Sequence, residues 1–172
     1  MKNTLLHLEP ADTVTGLPTR RAFAANLQRW LISQPDGTLY VAANISLPTI
    51  RSRSGSKGID GTLQDLLAYR ASVLLTQHTR QNTLLGRADR QSLLLVQPCT
   101  RKTAARSRAF VRGLLGDLGG LIDDPDSIVI RSLISSVRVL SANEVLRRLQ
   151  PNPCTRILDV VNNSSSAELL TT

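Results

Sequence analysis

Leu84-Leu-Gly-Arg-Ala-Asp-Arg-Gln-Ser-Leu-Leu-Leu-Val-Gln97 decides the fold of this chain. Two short apolar arms flank a polar centre, Arg87 to Ser92, and that order is the signature of a β-hairpin. The second arm, Leu93 to Val96, is apolar at successive positions, so both of its faces must be covered. It is therefore predicted as an interior strand. The charged tip, with Arg87, Asp89, Arg90 and Gln91, falls at one end of the sheet.

Working outward, the apolar spacing of Phe23, Leu27, Trp30 and Leu31 predicts a helix from Arg20 to Leu31. Leu39 to Ile45 reads as a buried strand, because Tyr40 to Ala43 offers no polar face. Pro48 to Gly61 reads as a basic loop or frayed helix, and its order does not match the GxxxxGK[ST] of a phosphate-binding loop. Thr62 to Gln77 is a predicted helix with Leu63, Leu66, Leu67, Val73 and Leu74 on its apolar face. Thr100 to Leu118 is another, with Phe110, Val111, Leu114 and Leu115 inward. On that second helix Arg101, Arg108 and Arg112 share a different face, with Lys102 and Arg106 beside it. Ser127 to Val139 reads as one long strand or two joined by a bulge, Ser141 to Leu149 as a short helix, and Cys154 to Val161 as a last strand. The predicted fold is thus an α+β arrangement: a mixed, mainly antiparallel sheet of about five strands wrapped by helices. Residues 1–11 read as a leader, 12–161 as one domain and 162–172 as a flexible tail.

Composition narrows the function classes. The 172 residues suit a single core. Aromatic residues make up only 3% of the chain, so Leu, Val, Ile and Ala must fill it. The formal net charge is +8, mostly from Arg, which favours an anionic partner: an acidic protein surface, a nucleotide or a nucleic acid. Two separated cysteines and two histidines give no zinc spacing and no Cys/His or Ser/His/Asp nucleophile arrangement. No apolar run is long enough to span a membrane. A cytoplasmic protein without resident metal or cofactor is expected.

Asp12-Thr-Val-Thr-Gly-Leu-Pro-Thr-Arg-Arg-Ala-Phe23 resembles the opening signature D-x-L-T-G-L-x-N-R-x-x-F of the GGDEF domains of diguanylate cyclases. Asp60 and Leu63 fit the G-D-x-x-L stretch of that family, and the hairpin falls where its namesake motif lies. The resemblance spans residues 12 to 149 and extends toward 161, and it implies a palm-like fold similar to nucleotide cyclases. Active members join two GTP molecules with the help of metal ions held by carboxylates. Matching the apolar arms places Gly-Gly-Asp-Glu-Phe on Ala88, Asp89, Arg90, Gln91 and Ser92. The two first-strand acids fall on Asn44 and Ser46. The resemblance therefore implies a degenerate domain whose catalytic positions Asn44, Ser46, Arg90 and Gln91 hold no metal. The inhibitory R-x-x-D of the family falls on Thr79-Arg80-Gln81-Asn82, out of register and without its acid. The leading expectation is a regulatory domain of cyclic di-GMP signalling, in biofilm or motility control. It would bind a partner with an acidic surface through Arg87, Arg90, Arg101, Arg108 and Arg112, and a homodimer is a further expectation. Two alternatives stay open. One is a non-catalytic sensor of GTP or cyclic di-GMP using Asp60, Arg80 and Arg87; the other is an Arg-rich nucleic-acid binder.

Overall fold

The computed structural model describes residues 10–50, 57–79, 82–116 and 127–150. Eight elements follow in chain order: α1 (Arg20–Ser33), β1 (Leu39–Ser46), α2 (Lys57–His78), β2 (Leu84–Arg87), β3 (Ser92–Pro98), α3 (Arg101–Gly116), β4 (Val129–Ser136) and α4 (Ala142–Leu149). The strands form one sheet in the order β2-β3-β1-β4, and all three pairings are antiparallel. Leu93 to Val96 lies within β3, which is paired on both sides as its apolar run requires. The expected strand Cys154 to Val161, most of the leader and the tail lie outside the described residues.

The sheet carries a helical layer on each face, and side-chain alternation assigns each residue to one of them. Ala43, Ile45, Leu93 and Leu95 pack with Leu67, Ala71 and Leu75 of α2 and Val111 and Leu115 of α3. Tyr40, Ala42, Leu94 and Val96 pack with Phe23, Leu27, Trp30 and Leu31 of α1 and Val145, Leu146 and Leu149 of α4. A strand covered on both faces has no polar side to show, which is why β1 and β3 read as unbroken apolar runs. Thr19 caps α1 by accepting a hydrogen bond from Ala22 N–H, and Ser141 caps α4 by accepting one from Glu144 N–H.

Two helices differ from expectation. α2 begins at Lys57 rather than Thr62, which puts Asp60 in its first turn. Its buried stripe is Gln64, Leu67, Ala68, Ala71, Ser72 and Leu75, while Leu66, expected inside, is 38% exposed. Putting the alanines and Ser72 inward turns Leu66 outward, while Leu74 still packs against the core. On α3, Val111 and Leu115 are buried as expected and Leu114 packs against the core, but Phe110 is 48% exposed. β4 is shorter than the expected strand, because residues 137–139 turn toward α4.

Candidate functional site

The hairpin tip is built on a turn far upstream in the chain. Asp12 accepts hydrogen bonds at Oδ1 from Val14 N–H (3.2 Å), Thr15 N–H (2.9 Å) and the Thr15 hydroxyl (2.9 Å). Its carbonyl accepts from Gly16 N–H, and Gly16 takes φ of 68°, the left-handed conformation glycine adopts without steric cost. This turn is joined to β2 by Arg87 N–H donating to Pro18 O (2.8 Å) and by a parallel bridge between Thr19 and Arg87.

The Arg87 side chain then closes the corner. Its guanidinium donates to Asp12 Oδ1 (2.6 Å), to Asp89 O (3.0 Å) and to Arg90 O (3.1 Å), and lies 3.5 Å from Asp65 of α2. The side chain is 6% exposed. The expectation that Arg87 lies on an accessible surface, as a nucleotide or partner contact, is corrected here. Buried charge is costly unless paired, and this cation is satisfied by internal carboxylate and carbonyl oxygens. Burial alone would raise the Asp12 pKa. The hydrogen bonds from Thr15 and the Arg87 cation outweigh that effect and hold it below the usual carboxylate value.

Arg90 is 58% exposed and paired bidentately with Asp65: Nε to Oδ1 at 3.2 Å and Nη2 to Oδ2 at 3.1 Å. Nη2 also donates to Gly61 O (3.0 Å). A Cβ at Gly61 would stand 2.8 Å from that nitrogen, so glycine here serves the close approach of Arg90 to α2. Asp89 Oδ1 accepts from Gln91 N–H (2.8 Å), Gln91 Nε2 donates to the Thr49 hydroxyl (3.0 Å), and Gln91 O accepts from Leu47 N–H (2.7 Å). The tip is thus tied to its own turn, to α2 and to the end of β1.

Asn44 and Ser46 sit at that end of β1. Ser46 is paired with Ser92 on one side and Val129 on the other. Asn44 is buried on the α1/α4 face, where Nδ2 donates to Leu149 O (3.2 Å). Magnesium requires hard oxygen ligands in octahedral array. An amide turned to a carbonyl, a hydroxyl at the end of β1 and a guanidinium at the tip do not fit that ion. Among the described residues no three His, Cys, Asp or Glu side chains gather where they could hold a metal.

Of the other expected site residues, Asp60 lies in the first turn of α2, and Arg80 lies outside the described residues. Arg101, Arg108 and Arg112 all fall on α3, though their side chains are not among those described, while Lys102 and Arg106 on the same helix are exposed. Asp65 was missed, since an isolated acid in the middle of a leucine-rich helix carries no signal. The pairing of Asp12 with Arg87 carries no local sequence signal either, although one residue opens the turn before α1 and the other ends the first arm of the hairpin. The described residues also form a shallow groove of about 410 Å³ lined by Gln28, Leu31, Ile32, Arg138, Leu140 and Ser141, on the α1/α4 side of the sheet. No helix among the described residues is long and apolar enough to cross a membrane.

With this geometry in place, comparison with solved structures identifies the fold as that of GGDEF domains. The GGDEF domain of FimX from Pseudomonas aeruginosa is 18% identical, with a TM-score of 0.57 over 81% of this chain and 88% of that one. The GGDEF domain of DgcB from Caulobacter crescentus, solved in complex with c-di-GMP, is 16% identical, with a TM-score of 0.57 over 81% and 82%. The diguanylate cyclase SiaD of Pseudomonas aeruginosa, solved with its activator SiaC, is 22% identical, with a TM-score of 0.58 over 81% of this chain and 54% of SiaD. No protein-family model and no curated protein sequence matches the chain.

Proposed function

We propose that the chain is a non-catalytic, regulatory GGDEF-like module of cyclic di-GMP signalling that acts in the cytoplasm by binding another protein. One observation carries the reading. At the end of β1 and the hairpin tip, the positions matched to catalytic acids hold Asn44, Ser46, Arg90 and Gln91, and Arg90 spans the corner between tip and α2. Phosphoryl transfer depends on neutralising charge with positioned metal ions, and this corner presents a cation where the ligands are needed. Ala88 and Asp89 replace the two glycines, and a carboxylate at the tip repels phosphate. The burial of Arg87 likewise weighs against a nucleotide sensor that relies on it. SiaD, about half of which this fold matches, was solved with an activator protein, which is consistent with regulation through protein contacts.

Incubation with GTP and magnesium or manganese tests the reading. No cyclic di-GMP is expected by chromatography, and product above a protein-free blank overturns the proposal. The triple variant Asn44→Asp, Arg90→Asp, Gln91→Glu is also expected to remain inactive, because Ala88 and Asp89 stay in place and Asp65 loses its bidentate partner.

A further inference from the structure

We propose that the outward faces of α2 and α3 form a docking surface for an acidic amphipathic helix of a partner protein. Leu66, Tyr69 and Phe110 would be its apolar anchors, and Arg70, Lys102 and Arg106 its flanking cations. The inference rests on the protein-binding reading above and gives it a surface and a partner chemistry.

Aromatic placement is the first observation. The chain has two Phe, two Tyr and one Trp. Phe23, Trp30 and Tyr40 lie in the core. The other two, Tyr69 and Phe110, are 49% and 48% exposed. Both are on the layer made by α2 and α3. A chain so poor in aromatics gains most from burying each one, since an aromatic side chain removes more apolar area from water than most other side chains. Aromatic and Arg side chains are also the residues enriched as anchors in protein interfaces.

The second observation is periodicity. Leu66 and Tyr69 stand three residues apart on the side of α2 opposite its buried stripe, and the half-buried Val73 continues their line. On α3 the exposed Lys102, Arg106 and Phe110 follow at intervals of four. The two helices pack on the same core cluster and touch each other. Adjacent helices present a groove into which the ridge of a third helix fits, and such helices are read through anchors at i, i+3, i+4 and i+7.

Charge selects the partner. The α3 sequence Arg101 to Gly116 contains four Arg and one Lys and no acidic residue, and Arg70 is exposed on α2. Asp65 of α2 is turned to Arg87 and Arg90. Aspartate and glutamate flanking the apolar stripe of the incoming helix complement this field, whereas lysine there is repelled. Three exposed apolar residues lie elsewhere: Ile134 stands on β4, and Ile32 and Val139 have Arg138 nearby, a cation paired with Asp36 at 2.6 Å.

The test uses two fluorescent helical peptides of about 20 residues with the same Leu/Phe stripe, one flanked by Glu and one by Lys. Anisotropy titrations are run against the folded domain at low and moderate salt. The Glu peptide is expected to bind at least about tenfold more tightly than the Lys peptide and to weaken as salt rises. The Tyr69→Ala, Phe110→Ala double variant is expected to lose at least about tenfold in affinity while keeping the parent melting temperature within a few degrees. Equal binding of the two peptides, binding of neither, or a double variant that binds like the parent overturns the inference. A parent dimer in light scattering that this variant abolishes would give the surface to a second copy, and sedimentation with anionic vesicles would give it to lipid; each also overturns it. Cyclic di-GMP formed from GTP overturns the non-catalytic reading instead, whatever the peptides do.

Discussion

Arg87 and Arg90 stand three residues apart and have opposite roles. Arg87 is enclosed and touches two carboxylates and two backbone carbonyls, so removing its charge leaves buried acceptors without a donor. Arg87→Met is expected to destabilise the fold by about 3 kcal/mol, as breaking a buried ion pair does. For a chain of this size that lowers Tm by about 6–12 °C in a thermal melt. Arg90→Ala removes an exposed pair and should stay within about 1 kcal/mol of the parent. Asp12 adds a pH dependence. Its folded pKa lies below the ordinary 3.8, so its contribution is present above that value and is lost as pH falls through the folded value. The stability gap between parent and Asp12→Asn, measured by urea melts, should therefore be full at neutral pH and close below about pH 3.8. None of this division was legible beforehand. A sequence counts charges but does not show that one guanidinium meets an aspartate 75 positions away.

Elements were more legible than residues, and for a definite reason. Strand β3 and helix α1 announced themselves through apolar runs and spacing that only one packing can satisfy, and all four α1 residues expected inside are buried. On α2 and α3, by contrast, apolar residues occur on more than one side, so periodicity alone could not tell Leu66 from Leu67 or Phe110 from Val111. The tertiary choice went to the side with alanines on α2, which sequence weighting treats as nearly neutral. A second element-level contact is testable. Gly86 of β2 lies under the Phe23 ring of α1, where an added Cβ would clash with the ring. Gly86→Ala is expected to cost about 1–3 kcal/mol by overpacking, read as a drop in the urea midpoint at unchanged slope. Gly86→Ala combined with Phe23→Leu should recover part of that loss, because the smaller side chain makes room.

At the scale of the whole molecule, both helical layers rest on two interior strands, and β1 is the earlier of them. β1 is hydrogen-bonded along both edges, and its Ala42 lies between Val96 on β3 and Leu133 on β4. Neither neighbour is close in the chain, and β1 is the earliest strand among the described residues. During synthesis β1 therefore leaves the ribosome long before either strand that completes it. Adding residues at about 5–20 per second, the ribosome holds this apolar segment unpaired for several seconds. The closure of such long loops also slows refolding relative to helical proteins of the same length. A nascent chain stalled before residue 129 would lack one of the two edges of β1, and stalled before residue 92 it would lack both. Such chains should be bound by chaperone holdases and digested rapidly by protease, with resistance rising sharply only once β4 has cleared the exit tunnel.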